Sequence, residues 1–135
     1  MVSRPLAPGQ FHPGFRCSVT DVAIMVAGAY AAIAIPELGL WIALAIGHFF
    51  LFCNVLRLAR VLELTWAAVF VVGAGAVRAG LALAPVLAAI GATTLVITII
   101  ALAQRSYHGV MWRWINPRLP HWWRAHGGSA QRTTK

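Results

Sequence analysis

The stretch WIALAIGHFFLFCNVLRLARVLELTWAAVFVV, residues 41–72, decides the fold. Two apolar runs flank a segment in which Arg57, Arg60 and Glu63 fall within seven positions. In lipid every backbone N–H and C=O must be satisfied internally, and long runs without strand alternation favour helices over a barrel. Two Arg and a Glu are too costly for the bilayer centre. The polar segment therefore reads as an interface turn between two membrane-spanning helices.

The pattern continues on both sides. Upstream, VTDVAIMVAGAYAAIAI gives a first span over 19–35, short for a bilayer crossing. Ala29-Tyr30-Ala31 has the form of a signal-peptidase site, but apolar sequence follows at once, so the run is expected to be a retained helix. Pro36-Glu37 is expected to interrupt it, since proline lacks a backbone donor and disfavours helix at the preceding residue. The second span is expected over 38–56 and the third over 64–77. Arg78, Gly80 and Pro85 mark the next turn, and the fourth span covers 86–103, ended by Gln104-Arg105. Short connections favour antiparallel neighbours. The expected fold is all-α: an integral membrane four-helix bundle over 19–103, preceded by a cytoplasmic arm (1–18). An interfacial aromatic and basic C-terminal segment (104–135) follows it, with a mobile end.

Composition agrees. Of 135 residues, 60% are hydrophobic and 10% charged, against about 45–50% and about 25% in soluble domains. A water-soluble monomer is excluded as the leading reading, and disorder would need the opposite balance. The net charge is +8. In a soluble chain that would suggest nucleic acid, but these Arg residues flank apolar runs, where anionic lipids and topology explain them better. No nucleic-acid partner is expected. Cys17 and Cys53 show no CxxC spacing and read as reduced thiols.

Arg counting gives the orientation. Arg4, Arg16, Arg57, Arg60, Arg105, Arg113, Arg118, Arg124, Arg132 and Lys135 fall on one side of a four-span chain and Arg78 alone on the other. The positive-inside rule then places both termini and the 57–63 turn in the cytoplasm, in the setting of a bacterial inner membrane.

Candidate functional residues are few. His48 lies midway along the second span beside Gly47. Intramembrane ionisable groups usually face the protein interior, so a hydrogen bond to a neighbouring helix is the plain expectation. Axial ligation of a haem- or chlorophyll-type ring is the alternative, although the spans hold no second His for a bis-His site. No cofactor or metal is predicted. His48 and Cys53 are about 140° apart around a helix and do not converge on one ion. Asn54, Arg57, Arg60 and Glu63 step by three, and form a polar ridge if the helix continues through the turn. Such a ridge suits a lipid phosphate or a partner carboxylate. In the tail, Tyr107, Trp112, Arg113, Trp114, Arg118, Trp122, Trp123 and Arg124 suit the head-group layer as anchors.

Rows of small residues, Ala23/Ala27/Ala31, Gly73/Ala76/Gly80 and Ala88/Ala92, mark helix contact faces. Small multidrug transporters carry a deep acidic residue where Asp21 here lies at the edge, and thiol-oxidising four-span proteins carry CxxC pairs that are missing. The sequence thus points to a subunit or accessory, anchoring component of a larger membrane complex, with anionic lipids and other membrane subunits or self-association as its partners. A His48 cofactor protein, a homo-oligomeric channel or transporter, and a lipid enzyme at the Arg57–Glu63 segment are the rivals. No credible catalytic set supports the last.

Overall fold

The computed structural model describes residues 13–126, which are helical throughout apart from short connections, with no strand among them. The expectations for residues 1–12 and for the end of the tail, 127–135, lie outside the described residues.

Helix α1, Val19–Ala34, starts at a capping box. The Ser18 Oγ accepts from the Asp21 backbone N–H at 3.1 Å, and the Asp21 carboxylate accepts from the Ser18 N–H at 2.7 Å and hydroxyl at 2.8 Å. Two donors that a helix start would leave unsatisfied are thereby met. Only Ile35 separates α1 from α2, Pro36–Phe50. Proline opens α2 rather than spacing it from α1, because the first helical position needs no N–H.

The second helix changes pitch at its end. Residues Leu51–Leu56 form a π-helical turn, closed by Arg57 in the left-handed region (φ 52°, ψ 58°). Helix α3, Arg60–Arg78, starts earlier than the expected 64, so Arg60 and Glu63 sit in its first turn. Helix α4, Leu83–Ala103, holds Pro85 in its first turn, where proline costs no intrahelical bond. Pro36–Leu56, Arg60–Arg78 and Leu83–Ala103 are long and apolar enough to cross a membrane. At 16 residues α1 is shorter, about 24 Å against a hydrocarbon core of about 30 Å.

The helices pair as two hairpins. In the first, a side chain at Gly28 would run into Ile46 Cδ1, so α1 and α2 approach through a position without a Cβ. In the second, a Cβ at Gly73 would lie 2.8 Å from Val86 Cγ1. Such close backbone approach is how helices associate where hydrophobic exclusion gives no drive. Aromatic rings join the hairpins: Trp41 meets Phe70 edge-on at 5.7 Å and Phe52 meets Trp66 at 5.5 Å. The buried cluster contains Phe52, Leu56, Trp66, Val86, Ile90, Ile97 and Tyr107. Outside it, Val19, Ile33, Val61, Val72 and Leu95 are exposed, an apolar exterior that matches hydrocarbon rather than water. After α4 the chain turns back over the helix ends and forms α5, Trp112–Ile115, and α6, Leu119–His126.

Candidate functional site

Polar chemistry gathers at two places. The first is the middle of the helices. A carbonyl only accepts, so the 2.8 Å contact of His48 Nδ1 with Leu44 O puts the proton on Nδ1. Nε2 then faces Thr94 Oγ1 at 3.0 Å, across to α4. The same hydroxyl accepts from Trp66 Nε1 on α3 at 2.9 Å and has Ile90 O at 2.9 Å. Its one hydrogen therefore has two acceptors in reach, His48 Nε2 and Ile90 O. The imidazole stacks on Trp66 at 4.3 Å with an interplanar angle of 21°, and Phe52 closes its edge at 5.5 Å. One histidine, one indole and one hydroxyl thus link α2, α3 and α4.

The second place is the end of the helices that carries the tail. Three separate segments are bonded together there through their backbones. Gly14 N donates to His108 O at 2.7 Å, Arg16 N to Asn54 O at 3.3 Å, and Val110 N to Val55 O at 2.8 Å. The π turn makes this feasible, because wider winding leaves the carbonyls of its last turn free to accept from elsewhere. Gly109 is pressed against that turn. A Cβ there would lie 2.6 Å from Leu56 O and 2.7 Å from Val55 O. Tyr107 is buried beside it and donates its hydroxyl to Val110 O at 2.8 Å. Burial pushes that phenol's pKa up. Asn116 Nδ2 fastens the loop from below, donating to Arg105 O at 2.7 Å and Tyr107 O at 3.2 Å.

The sequence-predicted residues distribute unevenly over these two places. The ridge of Asn54, Arg57, Arg60 and Glu63 does not form, because the helix breaks at Arg57. Asn54 is buried, and in the amide orientation that satisfies it Nδ2 donates to Arg16 O and to Asp21 Oδ2 at 3.1 Å. Glu63 Oε1 accepts from Cys53 Sγ at 3.6 Å. Arg57 is half-buried while Arg60 is exposed. In the tail, Tyr107 lies inside the knot, Trp112, Trp122 and Trp123 are half-buried, and Trp114, Arg113, Arg118 and Arg124 are exposed. Arg113 stands over the Trp112 ring at 5.7 Å.

Sequence reading missed Trp66, Thr94, Arg16 and His108 as participants. Trp66 carried a usable signal, since an indole N–H in mid-span needs an acceptor. The others depend on which segments fold together. Among the described residues, no group of three or more His, Cys, Asp or Glu is placed to hold a metal ion. Comparison with family models, curated proteins and solved structures finds no match to this chain.

Proposed function

We propose that this chain is a four-span integral membrane protein with both termini in the cytoplasm. In this reading it is a subunit or accessory, anchoring component of a larger assembly in a bacterial inner membrane. The observation that carries the reading is an apolar groove of about 450 Å³ between α3 and α4, lined in part by the buried Val86 and Ile90. Ala68, Val72, Gly73, Ala76, Pro85 and Ala89 line it, so two helix backbones are laid open by small side chains. Small-residue surfaces of this kind are what neighbouring helices pack into in lipid.

The test is to fill the groove. Ala76→Leu together with Ala89→Leu should leave membrane insertion unchanged and should lower the apparent mass of the native complex on a mild-detergent gel. A chain that migrates as a monomer both before and after the change would sink the proposal.

A ring cofactor at His48 ranks below this reading. Nε2 would have to give up its hydrogen bond with Thr94. A transport path ranks below it as well, because the hydrogen bonds of His48 and Thr94 go to one another, to Trp66 and to carbonyls of their own helices rather than to a continuous polar file.

A further inference from the structure

Helix α1 carries an apolar ridge on the side opposite its contact with α2. Val19, Val22, Val26, Tyr30 and Ile33 are each more than half exposed. At about 100° per residue they fall within about 80° of one another around the helix. Gly28, where α1 meets Ile46 of α2, is buried on the far side. The α3/α4 hairpin has the complementary shape. Its groove follows α3 from Ala68 to Ala76, about 12 Å of helix, and Val26 to Ile33 covers about 10 Å. Charge stands at one end of each surface. Glu37 follows the ridge in the first turn of α2, and Arg78 follows the groove as the last residue of α3. Both lie away from the docked tail, which bonds to the close of α2, where the chain passes on into α3. Both are exposed, and neither side chain bonds to another described residue. Among the described residues they are the one acid and the one base at that end.

We propose that the α3/α4 groove of one copy of this chain receives the α1 ridge of a second copy, with Glu37 of one paired to Arg78 of the other. Copies threaded alike through one membrane hold these two groups at the same end, so a side-by-side pair brings opposite charges together. Large side chains entering a row of small ones give the close packing by which helices associate in lipid. Ridge and groove are different surfaces, so each copy gives one and accepts the other. The proposal rests on the subunit reading and names its partner. Complex size judges the subunit reading, whereas the meeting of two copies judges this one.

Two differently tagged full-length chains are expressed together, one tag is captured in mild detergent, and recovery of the other is measured. Glu37→Arg in both chains, or Arg78→Glu in both, should lower recovery ~fivefold or more, because each change turns attraction into repulsion. Glu37→Arg in one chain with Arg78→Glu in the other should restore it, since every contact between unlike copies regains opposite charges. Unchanged recovery in the single swaps, or a loss that the mixed pair does not restore, overturns the proposal. A native complex larger than one chain in which the two tags never meet also overturns it, and leaves the subunit reading standing. If a swapped chain is missing from the membrane fraction, cross-linking decides. With Cys17→Ser and Cys53→Ser throughout, Glu37→Cys in one tagged chain and Arg78→Cys in the other should form a disulfide-linked pair in oxidised membranes. Glu37→Cys with Arg60→Cys, at the other end of α3, should not. Failure of the first pair to link, or equal linking of both, overturns the proposal.

Discussion

Thr94 Oγ1 lies 3.0 Å from His48 Nε2 and 2.9 Å from Trp66 Nε1, so a single hydroxyl on α4 is shared by α2 and α3. Removing it strands two partners at once, whereas removing either partner strands fewer groups.

Thr94→Val is therefore expected to destabilise more than Trp66→Phe. Each intramembrane side-chain hydrogen bond is worth roughly 1 kcal/mol, so the valine variant should lose about twice as much as the phenylalanine variant in a mixed-micelle unfolding titration. Thr94→Ser should sit close to the parent. An order with Trp66→Phe the worse of the two would show that ring stacking, and not the shared hydroxyl, holds the helices.

His48→Asn keeps a hydrogen-bonding group and should cost little, while His48→Leu should weaken the association of α2 with α4. Neither should change the visible absorption spectrum of the purified protein. A band that disappears in His48→Asn would promote the ring-cofactor reading to first place.

Gly109→Ala should release the tail. The new methyl would press on Leu56 O and Val55 O, and overpacking of this kind costs about 1–3 kcal/mol. Limited proteolysis should then cut within 105–126 at lower protease concentration. Gly75→Ala meets nothing within 4 Å and serves as the matched control.

The docked tail should also loosen in mild acid. Burial first, and the charge of Arg57 after it, hold His108 below its ordinary value of 6.5, against the opposing pull of its bond to Ser106. A group whose folded pKa is depressed contributes stability above its unfolded value, and that stability is lost as pH falls toward the folded pKa. Protease protection of 105–126 should accordingly decline below about pH 6.5. His108→Gln should flatten the pH profile. An identical decline in that variant would assign the effect to other groups.

Reporter fusions after residue 135 and within 57–59 should score cytoplasmic, and a fusion near residue 80 should score exterior. An exterior signal from the C-terminal fusion would mean that the ten-against-one bias of basic residues fails to orient the chain.

Helix content and the three long apolar helices were legible because apolar length is a local property of the chain. The helix starts were less so. Pro36 and Pro85 look like breaks in a linear reading, yet each sits in a first turn, where its missing N–H costs nothing. The ridge at 54–63 failed for a related reason. Its spacing assumes 3.6 residues per turn, but the π turn at Leu51–Leu56 and the left-handed Arg57 reset the register. His48 could be singled out as a polar contact to a neighbouring helix, but Thr94 could not be matched to it, because 46 residues separate them. The meeting of Gly14, Arg16, Asn54 and His108 is likewise set by tertiary structure, with no periodic signal to announce it.

The single non-helical residue between α1 and α2 has a bearing on how the protein enters a bilayer. Ile35 spans only a few ångströms, so the end of α1 is tethered to the start of α2 from the moment both emerge. At 16 residues helix α1 is short for a bilayer crossing, while α2 with its π turn, 21 residues in all, is long enough to make one. In the proposed four-span reading, insertion of the first half of the chain is then expected to be a two-helix event, in which the longer member carries the shorter one to depth. A flexible insert at Ile35 would uncouple the pair and leave α1 to partition on its own meagre hydrocarbon match.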